Sequence, residues 1–259
     1  MSFITITSAD NQTIKQFSKL KQKKYREKEG RYITEGLRSS GEILKTDKDA
    51  VFVITERFLS DFSDFCDTLS SQKVYVVTDK IFNSLTDTES PQGILCVSTI
   101  KKASEKLQKP YYIYLDRLTD PGNVGTVIRT CHAFGFGGVL LAPGSCDVYS
   151  GKVIRSAMGS HLYTDIYTDF SYEALADLKK DGYKIFSTAL IDESVSLYEC
   201  KFGEKAIFVI GNEANGVSDE ILSLSDETLI IPMPGGAESL NASVAAALVM
   251  SEAVRTKRG

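Results

Sequence analysis

A chain of 259 residues, 42% hydrophobic and 25% charged, has room for one large soluble domain or two modest ones. No run approaches the ~18 apolar residues of a membrane-spanning helix, and Met1 to Asp10 lacks the basic-then-apolar pattern of a secretory signal, so a cytoplasmic protein is expected. Five scattered cysteines without a CxxC pair, and two histidines, argue against a disulfide framework or a zinc ribbon; nothing in the sequence calls for a metal.

The formal net charge of -4 conceals a positive stretch near the amino terminus. Between Thr13 and Arg31, the cations Lys15, Lys19, Lys21, Lys23, Lys24, Arg26, Lys28 and Arg31 are opposed only by Glu27 and Glu29. Such a run is either a solvated helix face or a patch that neutralises RNA phosphates and releases counterions. Tyr25 and Phe17 offer stacking surface, with burial the other role open to Phe17. Short apolar runs at 51–54, 74–77 and 93–97 then read as strands, with helices between them such as 39–44. Residues 1–98 thus form a small α/β domain in this reading, with RNA binding the role its basic patch would serve, and the charged stretch 99–110, ending in Pro110, is a linker.

Residues 111–259 have a different rhythm. Near-continuous apolar runs at 111–115, 139–142, 184–187, 206–210 and 229–232 alternate with helical patterns such as 172–180. Unbroken apolarity marks strands covered on both faces, so a doubly wound, mostly parallel sheet is expected. Such sheets bind ligands beyond the carboxyl ends of their strands, which directs attention to three segments.

In the first, the run ending at Leu115 enters a turn and then a helix, capped by Asp120 ahead of Pro121, or by Asn123. Val124, Val127, Ile128, Cys131 and Phe134 share one face of that helix, and Arg129 points nearly opposite. In the second, the run ending at Ile210 enters Gly211-Asn212-Glu213, whose carboxylate either orients Arg129 or a loop amide, or simply caps the turn; Ser218 is the next N-cap. In the third, Pro232-Met233-Pro234-Gly235-Gly236 forms a loop suited to wrapping a ligand, Ser239 or Asn241 caps a helix, and Ala242 to Met250 are apolar enough to be buried all round.

Together the three segments closely resemble the SpoU (TrmH-like) family of the SPOUT methyltransferases, through Asp120-Pro121-Gly122-Asn123-Val124-Gly125 with Arg129-Thr130, Gly211-Asn212-Glu213, and Ile231-Pro232-Met233 with Ser239-Leu240-Asn241. The amino-terminal stretch, with Asn11 to Lys15 and Glu35-Gly36, is similar to the substrate-binding domain often joined to that family. The resemblance implies a trefoil knot, S-adenosyl-L-methionine as cofactor, methyl transfer to an RNA ribose 2'-hydroxyl (ribosomal RNA first, transfer RNA as the alternative), and an active site formed between two protomers. It further implies that Leu190, Gly211, Ile231, Met233 and Leu240 contact the cofactor, and that Asn123, Arg129, Glu213, Ser239 and Asn241 occupy the family's polar positions. The family's proposed base matches Arg129, but a guanidinium stays charged throughout the physiological pH range, so an orienting and electrostatic role fits it better.

Two rivals are weighed against this reading. A nicotinamide-dependent dehydrogenase rests on Gly135-Phe136-Gly137-Gly138, yet those glycines precede a strand instead of linking a strand to a helix. A non-catalytic RNA-binding or ribosome-assembly protein of the same fold is opposed by the presence of Asn123, Arg129, Glu213 and Asn241.

Overall fold

The computed structural model of the protein describes residues 3–191 and 193–258. Its contacts divide into two units: 1–101 with Asp147–Leu162, and Lys102–Cys146 with 163–259.

The first unit is built on a mixed five-stranded sheet in the order β1-β4-β3-β5-β2. The strands are β1 (Ile4–Ile6), β2 (Arg31–Glu35), β3 (Val51–Thr55), β4 (Lys73–Val77) and β5 (Ile94–Thr99). Helices α1 (Gln12–Lys19), α2 (Lys23–Glu29), α3 (Leu37–Thr46), α4 (Glu56–Asp61), α5 (Ser63–Thr68) and α6 (Asp79–Leu85) connect them. Central strand β3 explains its own apolar run. Val51 and Val53 pack on one face with Ile14, Phe17, Leu20, Ile81, Phe82 and Leu85; Phe52 and Ile54 pack on the other with Ile43, Phe58, Cys66 and Leu69. A strand covered on both faces has no polar side to alternate with.

The second unit carries seven strands, every adjacent pair parallel, in the order β10-β12-β9-β11-β6-β7-β8. They are β6 (Tyr111–Leu115), β7 (Gly138–Leu141), β8 (Asp165–Tyr167), β9 (Lys184–Thr188), β10 (Val195–Ser196), β11 (Ala206–Ile210) and β12 (Glu227–Ile230). Its helices are α7 (Pro121–Ala133), α9 (Tyr172–Asp177), α10 (Asp219–Leu224) and α11 (Ala242–Arg258); α8 (Gly151–Ala157) lies in the stretch that packs with the first unit. Tyr112, Tyr114, Ile207 and Val209 face Leu175, Val217 and Ile221. Phe208 faces the other way, among Tyr111, Phe136, Phe186 and Phe202. Strand order turns at β6, flanked by β7 and β11, the kind of switch point beside which open α/β sheets bind ligands.

Several expectations need correction. The carboxyl half is not one uninterrupted body. Asp147–Leu162 packs with the first unit, where the rings of Tyr149 and His161 meet Tyr32 at 5.0 and 5.5 Å. The strand expected at 229–232 ends at Ile230, leaving Ile231 and Pro232 in the loop. On α7, Val124, Val127, Ile128 and Cys131 are fully buried, but Phe134 at the helix end is 36% exposed. Helix α11 is not buried all round, because Val244 is 47% exposed. Among the described residues, no helix is long and apolar enough to cross a membrane.

Candidate functional site

A cleft of about 740 Å³ opens where β9, β11 and β12 end. Leu190 follows β9; Gly211 and Glu213 follow β11; Ile231, Met233, Ser239, Leu240 and Asn241 follow β12; all eight line the cleft. Leu190 is 61% exposed and Leu240 is also exposed, so the mouth presents apolar surface to solvent.

The loop after β11 folds back on itself. Asn212 and Gly216 exchange both backbone hydrogen bonds, at 2.8 and 2.9 Å. This brings Gly216 so close to Gly211 that a Cβ on Gly211 would lie 2.2 Å from the Gly216 carbonyl carbon, and Gly216 itself has φ +67. Both glycines are therefore required by the turn.

A polar chain ties the three segments together. Asp120 is the N-cap of α7, its carboxylate accepting from the Asn123 N–H at 2.8 Å, and Pro121 holds the first helical position. The buried Asn123 side chain donates to Glu213 Oε1 at 3.1 Å and accepts from Asn241 Nδ2 at 2.9 Å. Asn241 in turn caps α11, its Oδ1 accepting from the Ser243 N–H and hydroxyl at 2.9 and 2.6 Å. Glu213 also accepts from the Asp120 and Thr119 N–H groups at 3.2 and 3.4 Å. Its burial pushes toward the neutral form, but the hydrogen bonds from Asn123 and from backbone N–H groups prevail and hold its pKa below the ordinary glutamate value. Glu213 is thus an anion and an acceptor at neutral pH.

Arg129 is exposed on α7, opposite the buried stripe as expected, and does not line the cleft of its own chain.

In the first unit, the basic stretch divides. Arg26 is a correction: it is buried, donates from Nη1 to the Leu20 carbonyl at 2.6 Å, and pairs through Nη2 with Asp147. A guanidinium spent on a carboxylate 121 residues away is structural, and no local pattern could reveal that partner. Lys21 bonds the Thr86 carbonyl at 2.9 Å and pairs with Asp87 at 3.1 Å, while Arg31 donates to the carbonyls of Asp49 and Val97. Lys15 and Lys23 form surface pairs with Asp10 and Glu27. Lys19, Lys24 and Lys28 stand exposed on the same two helices, and Phe17 is buried. Glu35 accepts from the Thr86 and Thr88 hydroxyls, both at 2.5 Å, and from the Asp87 N–H at 3.1 Å, clamping the loop after α6.

Two supporting residues were missed from sequence. Asp116, fully buried at the end of β6, accepts from the Ser218 N–H at 2.7 Å and the Tyr172 hydroxyl at 3.2 Å. Asn212 donates to the Arg117 carbonyl at 2.7 Å and accepts from the N–H groups of Ala214 and Asn215. A carboxylate directly after an unbroken apolar run, and an asparagine directly after glycine, were the available signals. Ser218 does occupy the N-cap of α10, but its hydroxyl makes no capping bond. Among the described residues no group of three or more His, Cys, Asp or Glu side chains could hold a metal.

The geometry agrees with what comparison with known proteins finds. Residues 110–251 match the SpoU rRNA Methylase family, and residues 11–96 match the MRM3-like substrate binding domain. The chain is 34% identical to the 23S rRNA (guanosine(2553)-2'-O)-methyltransferase RlmP of Bacillus subtilis, over 95% of this chain and 97% of that protein. It is 27% identical to the mitochondrial rRNA methyltransferase 3A of Danio rerio, over 98% of this chain and 71% of that protein. Among solved structures, the AdoMet-bound rRNA methyltransferase from Sinorhizobium meliloti superposes with a TM-score of 0.83 at 26% identity, covering 97% of each chain.

Proposed function

The chain belongs to the SpoU rRNA methylase family, and from that premise we propose that it transfers the methyl group of S-adenosylmethionine to a ribose 2'-hydroxyl of ribosomal RNA. The observation that carries the reading is the bonded series Asn241–Asn123–Glu213, which ties the start of α7 to two distant segments that line one cleft.

The cleft fits the cofactor. Its volume lies within the roughly 300–1,000 Å³ of small-molecule sites. Leu190, Ile231, Met233 and Leu240 give apolar walls suited to an adenine ring, and the backbone groups around Gly211 give donors and acceptors for its polar edges. The bound cofactor supplies a methyl group already activated on a sulfonium, so the protein's work is to position the ribose and manage one proton. Glu213, held anionic, fixes the Asp120 and Asn123 end of α7. Ser239 and Asn241 offer a hydroxyl and an amide at the rim for orienting the ribose. Arg129 carries a permanent positive charge suited to stabilising the developing alkoxide, with a substrate phosphate taking the proton.

Arg129 performs this role at the cleft of a second copy, in a homodimer. Its exposure on α7 and the exposed Val244 on α11, a helix packed against α7, support that arrangement. The same reading assigns a trefoil knot to the carboxyl-terminal loops, residues 1–98 to RNA capture, 99–110 to a linker, 111–259 apart from the Asp147–Leu162 stretch to catalysis, and a cytoplasmic setting. Its test is incubation of the full chain with tritiated S-adenosylmethionine and ribosomal RNA from cells lacking the protein. Label at one 2'-O-methyl position is expected. Cofactor binding without label in ribosomal RNA would overturn the substrate assignment, and label confined to a parallel transfer RNA sample would replace it.

A further inference from the structure

Beside the basic helices lies a small cavity that the methyl-transfer site does not use. It measures about 180 Å³, smaller than a cofactor pocket, and its floor is apolar: Phe17 and Leu20 from the α1 end and Val97 from β5, all buried. Tyr25 of α2 forms one wall, and Lys19, Lys28 and Arg31 stand at the rim with Glu29 and Gln16. The ammonium groups of Lys19 and Lys24 lie 5.7 and 4.9 Å from the centre of the Tyr25 ring. Two surface cations reaching one half-buried ring mark it as an aromatic face that attracts cations.

We propose that this cavity is a single-nucleotide subsite, in which one unstacked base of the RNA substrate lies against Tyr25 while its flanking phosphates meet Lys19, Lys24 and Lys28. The inference rests on the RNA-substrate reading above and adds a location and a mode to it. The cations at the rim suit phosphates, and the apolar floor of Phe17, Leu20 and Val97 suits a ring in the interior. A rim with four cations counting Lys24, and one carboxylate, excludes an acidic-rimmed peptide site and favours a polyanion that carries rings. Base-on-aromatic stacking with lysines along the backbone is how single-stranded nucleic acid is held without a sequence code. When the base enters, the two ammonium groups exchange the ring face for phosphate oxygens.

The full chain is titrated with a single-stranded RNA oligonucleotide carrying 2-aminopurine at one position, and with the same strand abasic there. The wild-type chain should bind the base-bearing strand more tightly and quench its fluorescence. Tyr25→Ala should lose about 5- to 150-fold on that strand, the value of one base stack, and leave abasic binding unchanged. Tyr25→Phe should retain both the preference and the quench. Tyr25→Leu, which keeps apolar volume in the wall, should lose them, and it decides the matter if the alanine variant does not fold. Lys28→Ala should weaken both strands alike. Tyr25 variants that keep the full preference, or that weaken both strands equally, would overturn the subsite while wild-type methyl transfer leaves the enzymatic reading intact. A wild-type chain that neither binds RNA nor methylates it would sink both.

Discussion

Asn123 and Asn241, separated by 118 residues of chain, share a hydrogen bond of 2.9 Å, and Asn123 passes the connection to Glu213 at 3.1 Å. Asn123 therefore acts as a bracket between the start of α7, the loop after β11 and the cap of α11. Asn123→Ala leaves the Asn241 amide and the Glu213 carboxylate each short of a partner. The expected cost is about 1–3 kcal/mol of stability by urea unfolding, with a larger fractional loss of methyl transfer. In a double-mutant cycle, Asn123→Ala and Asn241→Ala should be coupled by roughly 0.5–3 kcal/mol. Simple additivity would mean that the bond does not organise the site.

Arg129→Ala should lower methyl transfer by about 10²- to 10³-fold while the affinity for S-adenosylmethionine, read by calorimetry, stays at its wild-type value. Arg129 does not line its own cleft, so mixing should give a second result. Arg129→Ala chains combined with Glu213→Ala chains should recover activity, up to about a quarter of wild type if copies pair at random and each heterodimer keeps one intact site. No recovery on mixing, with both variants dimeric, would return Arg129 to its own chain's site.

Legibility of the fold followed coverage of the strands. Central strands such as β3, β6 and β11 are buried on both faces, and their unbroken apolarity announced them. The strands that escaped notice, β1, β2, β8 and β10, are the four edges of the two sheets. Three of them have only two or three residues, and β2 alternates buried and half-buried positions around charged ends. The cleft was legible because its residues follow strand ends in sequence. Asp116 and the Arg26–Asp147 pair were not, because a buried charge is defined by a partner far along the chain.

Arg26 is held by that pair, whereas Lys24 and Lys28 of the same helix are exposed, so substitutions on one helix should have different effects. Arg26→Ala leaves Asp147, whose side chain is 21% exposed, without its cation; a loss of about 3 kcal/mol is expected, the low end for a broken buried pair. Lys24→Ala and Lys28→Ala should stay within about ±0.5 kcal/mol in stability. They should instead weaken RNA binding and reduce its salt slope by about 0.7 for each single-strand phosphate no longer neutralised. A stable Arg26→Ala chain with a flattened salt slope would restore Arg26 to the RNA-binding surface.

His161 gives the first unit a sensitivity to acid. The ring is buried, with Nε2 2.9 Å from the Tyr32 hydroxyl and Tyr149 packed on Tyr32. Burial disfavours the imidazolium and lowers its pKa from 6.5 to about 4. The unfolded chain therefore takes up this proton near pH 6.5 and the folded chain only near pH 4. Between those values the unfolded state binds more protons, so stability must fall as pH falls, by about 3 kcal/mol across the window. Above pH 6.5 both states are neutral at this residue and the contribution is complete. Urea midpoints at pH 7, 5.5 and 4.5 should decline accordingly. His161→Gln, which keeps a polar side chain but cannot ionise, should remove most of that slope while its stability at pH 7 changes less. An unaltered slope in that variant would remove His161 as its source; Glu213 does not supply it, because a lowered pKa makes its contribution fail only below the ordinary carboxylate range.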